Sequence, residues 1–523
     1  MARPVFGAAP PAVLCIVKGD CPIDASGLRH QFTPARVPLA TRILLDNLDQ
    51  GLSTLAGRPA LVRLGQLAAA RCLEVYLVGG SVRELALGRV AQDLDLAVSA
   101  QTLELARDLA GALGGTYVLL DEAERTARVV WQREILDLAE FRAPTLKGDL
   151  AGRDFTLNAL AVSVKAILGQ GPPRLIDPWG GLPDLARGRL RMVAAQNFHD
   201  DPLRLLRAYR FAATHGFQIT PETTAAIRRA APEFSRVAAE RVHQELFLLL
   251  AAPSAAEVLG AMEAVGLLCR VFPELDDMKG VEQNGYHHLD VYGHSLAAVA
   301  AMEAVLAAPA AYFGELAAEV VRYARQPPKT ALLKLAALFH DAGKPQVQER
   351  RSHPERYTFY YHEKVGLEIF SRVASRLRCS QAEIRTVTSL IQMHMRPFLL
   401  LPAFRERELS FRALGRLVRA ARPELPGLFA LAMADSLAGQ GPLKPADSEA
   451  VLADLADAAY QFLKERLEPQ ERHPKLLSGH DLIRLGLPPG PRFRQLLTAV
   501  EEAQWEGLVQ TREEALKMVR RLL

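Results

Sequence analysis

The sequence predicts an α/β domain between about residues 59 and 191, with a helical pattern toward the C-terminus. Three observations carry this. Glu74-Val75-Tyr76-Leu77-Val78 is short, apolar and β-branched, as a buried strand requires, and it runs into Gly79-Gly80. Asp93-Leu94-Asp95 follows in what reads as a second strand, so both carboxylates leave one face while Leu94 and Leu96 pack behind. Beyond residue 441 the apolar spacing is that of helices.

Composition sets the outer limits. A chain of 523 residues suggests three or four domains, and 49% hydrophobic with 23% charged residues is typical of a soluble globular protein. No apolar run approaches the roughly 20 residues that cross a bilayer. The run at 12–17 is too short and poorly flanked for a signal peptide. Cys15, Cys21, Cys72, Cys269 and Cys379 are scattered without metal-binding spacing, which fits a reducing cytoplasm. A net charge of +4 permits a nucleic-acid partner without demanding one.

In chain order, residues 1–57 read as an N-terminal extension. Its first thirty or so residues are expected to be disordered, and helical spacing is confined to Leu39–Leu52. Helices are expected at Leu61–Leu67 and Leu103–Leu109, flanking the two strands. At the turn, Gly79-Gly80 allows close backbone approach to a ligand, Ser81 is expected to cap the next helix, and Arg83 can reach a phosphate. Tyr117–Leu120, Thr126–Trp131 and Glu134–Phe141 read as further strands. Within the last, Asp137 reads equally as a third carboxylate on the Asp95 side or as a rim position. Asp154 is expected to cap a helix beginning at Phe155, a structural role that leaves Arg153 without an explanation. Residues 176–185 read as a Gly/Pro hinge.

Asp201 before Pro202 reads as an N-cap, and Asp201, Arg204, Arg207 and Arg210 form a polar stripe three residues apart. That stripe suits either a solvated face or the reading of a base and a triphosphate. Ala239–Leu246 reads as a structural helix. Farther on, His294, His340-Asp341, His362, His394 and Asp435 follow in series, nitrogen and oxygen ligands that suit a first-row divalent metal. Adjacent His340-Asp341 is costly in an apolar core without a metal or partners. Arg412, Arg416 and Arg419 share a helix face that is solvated or follows an RNA backbone.

Val78–Glu84 with Asp93-Leu94-Asp95, the segment Gly152-Arg153-Asp154-Phe155-Thr156-Leu157-Asn158-Ala159, and Asp200-Asp201-Pro202-Leu203-Arg204 together resemble the class II tRNA nucleotidyltransferase and poly(A) polymerase family, within the DNA polymerase beta superfamily. Gly152 and Asp200 stand where that family has Arg and Glu. The His and Asp series resembles the HD phosphohydrolase superfamily, and the residues around Leu477–Ile483 resemble the closing segment of HD-containing bacterial members. The resemblance implies an α/β nucleotidyltransferase head at 58–190, followed by an all-α neck at 191–252, an HD domain at 253–440 and a helical tail at 441–523. It implies CCA addition to the 3′ end of tRNA from CTP and ATP, without DNA or a membrane as partner. Asp93 and Asp95 would hold Mg²⁺. Gly80, Arg83 and Arg153 would hold the triphosphate and sugar. Asp201 and Arg204 would read the base, with Arg207 and Arg210 lining that site. His294, His340, Asp341 and Asp435 would hold a divalent transition metal such as Ni, Mn or Co, and His362 with His394 a second. A CC-only or A-only enzyme, a poly(A) polymerase, and a phosphohydrolase whose head merely binds nucleotide are the alternatives.

Overall fold

The computed structural model describes residues 38–91, 93–172, 174–352, 355–469 and 475–523. The expected disorder of the first thirty residues, the apolar run at 12–17, Cys15 and Cys21 lie outside the described residues. The chain divides into two compact units, one ending at Arg187 and one starting at Gly188.

The first unit is built on a mixed sheet of seven strands: β1 (Val75–Val78), β2 (Asp93–Val98), β3 (Thr116–Asp121), β4 (Thr126–Trp131), β5 (Glu134–Glu140), β6 (Ala161–Ser163) and β7 (Leu175–Ile176). Their order is β3-β4-β5-β2-β1-β6-β7. The β2–β5 pair is parallel and the remaining neighbours are antiparallel. The five strands legible as β-branched runs are all present. The two short ones, β6 and β7, carry too few residues for periodicity to register.

Helices α1 (Leu39–Ala56), α2 (Pro59–Ala70), α3 (Gly79–Ala86) and α4 (Thr102–Leu113) belong to this unit. Pro59 opens α2 at the position where a missing N–H costs nothing. The helical part of the N-terminal extension is integral to the unit. Leu44, Leu45, Leu48, Leu52 and Leu55 bury one face of α1, and α1 packs on α3. At Gly51 of α1 an added Cβ would stand 2.7 Å from Leu85 Cδ2, so the absent side chain lets the two helices close. Leu94 and Leu96 are each 1% exposed, so β2 turns its leucines inward and leaves Asp93 and Asp95 on the other face.

The second unit is helical apart from two small two-stranded sheets. Its core includes the almost wholly buried helix Leu425–Ala438, packed on Val291–Ala307. The last helices, Gly479–Arg484, Pro491–Trp505 and Arg512–Leu522, close around Leu482, Leu496, Val500 and Val519. Ser478 and Thr511 each begin a helix through a capping box. Arg412, Arg416 and Arg419 lie on a solvated face, as one of the two readings has it, and there each is paired with an acid. Arg412 and Arg416 lie 3.2 and 2.5 Å from Glu502, and Arg419 pairs with Glu501. Their partners lie more than eighty residues downstream, where helical spacing gives no sign of them.

Candidate functional site

In the first unit, Val78 ends β1 and Gly79 enters α3 with φ +61, a left-handed conformation that suits glycine. An added Cβ at Gly79 would stand 2.8 Å from an Arg153 guanidinium nitrogen, and one at Gly80 would stand 2.9 Å from Asp95 Oδ2. The double glycine therefore brings an arginine and a carboxylate against bare backbone. Exchange of Gly80 for Ala is expected to push Asp95 off its position and cut divalent-cation affinity at this face roughly 10- to 100-fold. Circular dichroism should remain unchanged while calorimetric titration with Mg²⁺ reports the weaker binding.

Ser81 does not cap α3. Its hydroxyl donates to the Asp93 carbonyl at 3.1 Å and accepts the Asp95 amide at 2.7 Å. The helix begins two residues earlier, at Gly79, so Ser81 stitches it to β2 instead. Arg83 is 7% exposed and donates to Asn158 and, at 2.8 Å, to Glu84. Asn158 in turn donates to Asp154 at 2.9 Å. Asp154 caps no α-helix: it stands one residue ahead of Phe155, the N-cap of a three-residue 3-10 turn, Thr156–Asn158, and accepts the Phe155 amide at 2.8 Å. The loop is then pinned by Thr156, whose hydroxyl donates to Asp184 at 2.6 Å. Arg153 lies 3.3 Å from Asp149.

Asp137 pairs with Asp95 across the parallel β2–β5 register, which puts it on the carboxylate face. There Arg128 grips it with two hydrogen bonds of 2.7 and 2.8 Å. Burial raises the pKa of Asp95, with Asp137 adding to the rise, while Arg153, Ser81 and Arg83 oppose it. Three carboxylates on one sheet face, one of them costly to ionise, fit a site for divalent cations. Asp93 and Asp95 are the pair that would hold them.

In the second unit, the helix Leu203–His215 carries the arginine stripe. Pro202 occupies the N-cap, one residue later than expected, and Asp201 accepts the Leu203 amide at 3.3 Å. The helix Ala239–Ala251 packs on this helix and supplies partners to the stripe. Its Arg241 donates to both Asp201 oxygens at 3.2 and 2.8 Å, while Arg204 lies 3.9 Å from Asp201. Glu245, 9% exposed, accepts from Arg207 at 3.0 Å and from Arg210 at 2.5 Å. Sequence spacing marked the four stripe residues but not these partners, which reach them from another helix. Removing the Glu245 carboxylate leaves two neighbouring guanidinium groups without it. Glu245→Ala is expected to cost about 3 kcal/mol in urea unfolding, with Glu245→Gln costing less.

The histidine series converges at two adjoining triads, all buried: His294, His340 and Asp435, and Asp341, His362 and His394. Asp341 joins them. Its Oδ2 lies 3.3 Å from His340 Nε2, and its Oδ1 lies 3.4 Å from His362 Nε2 and 3.8 Å from His394 Nε2. The Nδ1 atoms of His340, His362 and His394 face the carbonyls of Ala337, Phe359 and Ile391 at 2.8, 2.7 and 2.7 Å. A carbonyl only accepts, so each Nδ1 is the protonated nitrogen and the Nε2 lone pairs converge. The Nε2 atoms of His362 and His394 are 3.1 Å apart. Burial and the neighbouring imidazoles lower His394 to about 3, so it stays neutral. Burial opposes charge on His340 too, but Asp341 and Asp435 lift it to about 10. Converging Nε2 atoms within a field that attracts positive charge, where a metal would take the place of the second His340 proton, fit two divalent cations sharing Asp341. Lys344 adds an ammonium 2.5 Å from Asp341 Oδ2. The sequence pattern had not singled it out.

Residues 75–191 match the poly(A) polymerase head domain, 216–279 the probable RNA and SrmB-binding site of polymerase A, and 291–459 the HD domain. The chain is 36% identical over 456 residues to the A-adding tRNA nucleotidyltransferase of Deinococcus radiodurans, covering 85% of this chain and 94% of that one. It is 35% identical to the CC-adding tRNA nucleotidyltransferase of Thermus thermophilus, covering 84% and 92%. In fold it is similar to the Thermotoga maritima CCA-adding enzyme complexed with tRNA, at a TM-score of 0.60 and 22% identity over 90% of this chain and 97% of that one.

Proposed function

Because the chain belongs to the class II tRNA nucleotidyltransferase and poly(A) polymerase family, we propose that it adds C, C and A to the 3′ end of tRNA from CTP and ATP. The observation that carries this reading is the face where Asp93 and Asp95 stand beside the Gly79-Gly80 turn with Arg153 against it. Mg²⁺ is the cation that suits these hard oxygen ligands. Bound there, it would supply charge stabilisation for the attacking and leaving oxygens. Gly80 admits the triphosphate close to the backbone, and Arg153 balances its charge. Arg83, from its place behind the turn, orders the loop that presents Arg153. Asp201 accepts from the exocyclic amine shared by C and A, and Arg204 donates to ring acceptors, so the protein itself specifies the base. Arg207 and Arg210, held by Glu245, line that recognition surface.

The test is incubation with tRNA ending at the discriminator base, with CTP alone, ATP alone and both, followed by sequencing of the 3′ ends. Two C additions with CTP alone and CCA with both support the proposal. A second reading, addition of the terminal A only, draws on the identity to the Deinococcus enzyme. It predicts incorporation solely on tRNA already ending in CC.

The HD cluster supports a second activity, hydrolysis of a phosphoester at an RNA end. Its mixed nitrogen and oxygen ligands suit Ni²⁺, Mn²⁺ or Co²⁺, which would supply an activated water. Lys344 is placed to offset phosphate charge. Among the described residues no helix is long and apolar enough to cross a membrane.

A further inference from the structure

We propose a third metal site, separate from both centres above, formed by His243, Cys379 and Glu383, and suited to Zn²⁺. The three residues come from two helices and the connector before one of them. His243 lies on Ala239–Ala251, Glu383 in the first turn of Gln381–Met393, and Cys379 just ahead of that turn. Their ligand-capable atoms all lie within 4.8 Å of one another. With zinc–ligand bonds of about 2.0–2.3 Å, tetrahedral neighbours stand roughly 3.4–3.8 Å apart, so the trio needs to close by only about 1 Å. His243 Nε2 and Glu383 Oε2 are already 3.5 Å apart.

Two details point to a ligand at this place. His243 Nε2 is buried and has no hydrogen-bond partner, a state that calls for an explanation in a folded protein. Its ring is held by stacking on Phe247 at 4.1 Å. The Glu383 carboxylate is likewise fixed, because Oε2 accepts the Ser380 amide at 2.6 Å in a capping box, and the second lone pair of that oxygen is left for a metal. One nitrogen, one sulfur and one carboxylate oxygen form a borderline donor set, and a water completes four-coordination. Binding replaces the Cys379 S–H bond by a metal–thiolate bond and releases the proton to solvent, with no change of oxidation state.

The site joins two helices that matter elsewhere. One carries Arg241 and Glu245, which hold the arginine stripe, and the other runs into His394 of the HD cluster. A metal here clips the neck helix to the HD body.

The test uses the full chain, stripped with chelator and titrated with Co²⁺. A near-ultraviolet thiolate-to-cobalt charge-transfer band reports only a cysteine ligand, so cobalt at the carboxylate face or the histidine triads is silent in it. The band is expected to rise to a plateau, with cobalt held elsewhere consuming titrant but adding nothing to it, to disappear on addition of Zn²⁺, and to persist in Cys269→Ser. It should vanish in Cys379→Ser. In His243→Phe, which keeps the stacking on Phe247, the cobalt affinity should fall at least about tenfold. No band in the wild type, a band surviving Cys379→Ser, or unchanged affinity in His243→Phe would overturn the proposal.

Discussion

Asp95→Asn should reduce nucleotide incorporation on the order of 10³-fold or more while leaving the protein at least as stable as the wild type. The two effects have separate causes. A carboxylate that holds a catalytic cation is worth several kcal/mol in the transition state, and each 1.36 kcal/mol is about tenfold in rate. Stability moves the other way because burial raises the Asp95 pKa. A carboxyl whose folded value exceeds its unfolded value disfavours folding once it is ionised. That cost is present above the raised value and fades as pH falls through it. Asparagine has the same shape and no charge, so it removes the cost at neutral pH. Thermal melts of the metal-free protein alongside single-turnover assays would check both halves. A lower Tm with intact catalysis would show Asp95 to be structural.

Asp341→Asn should behave in the opposite way. Asp341 is buried, yet His340 and Lys344 overcome the burial and hold its carboxyl well below the usual carboxylate range. Its ionised form therefore favours folding at pH values above the unfolded pKa, and this contribution is lost as pH falls toward the depressed folded value. Removing a buried charge from among its partners costs about 3–5 kcal/mol. Because Asp341 faces both triads, one substitution should also deplete both of metal. Elemental analysis should show the loss, and hydrolysis of bis(p-nitrophenyl) phosphate should fall to background. Nucleotide incorporation under conditions where the protein stays folded should persist, because Asp93 and Asp95 belong to the other compact unit. Loss of both activities together at unchanged folding would defeat the separation of the two chemistries.

What the sequence conveyed and what it withheld divide along contact distance. Alternation around Leu94 and Leu96 was enough to place Asp93 and Asp95 on one face. The order of histidines and aspartates named all six residues of the two triads but set Asp341 with His294, His340 and Asp435, whereas it groups with His362 and His394 and bridges to the other set. Ser81 and Asp154 were misjudged for a common reason. Small polar residues near a helix start satisfy local amides by default, and here Ser81 instead meets a strand twelve residues on while Asp154 serves a single 3-10 turn. Arginine stripes were the least legible. On a helical projection they look available to RNA, but Glu245 already engages Arg207 and Arg210, and Glu501 and Glu502 engage the later three. Charge spacing identifies a stripe. It does not identify the distant acid that neutralises it.

The Ser81 hydroxyl, shared between the Asp93 carbonyl and the Asp95 amide, carries a thermodynamic corollary. The turn that admits a triphosphate and the strand that presents the acids are fastened by one oxygen, so a displacement of either is felt by the other. Reciprocity then requires that whatever factor a bound nucleotide adds to cation affinity, the cation returns to nucleotide affinity. Replacing that oxygen with a methyl hydrogen would loosen both equilibria together.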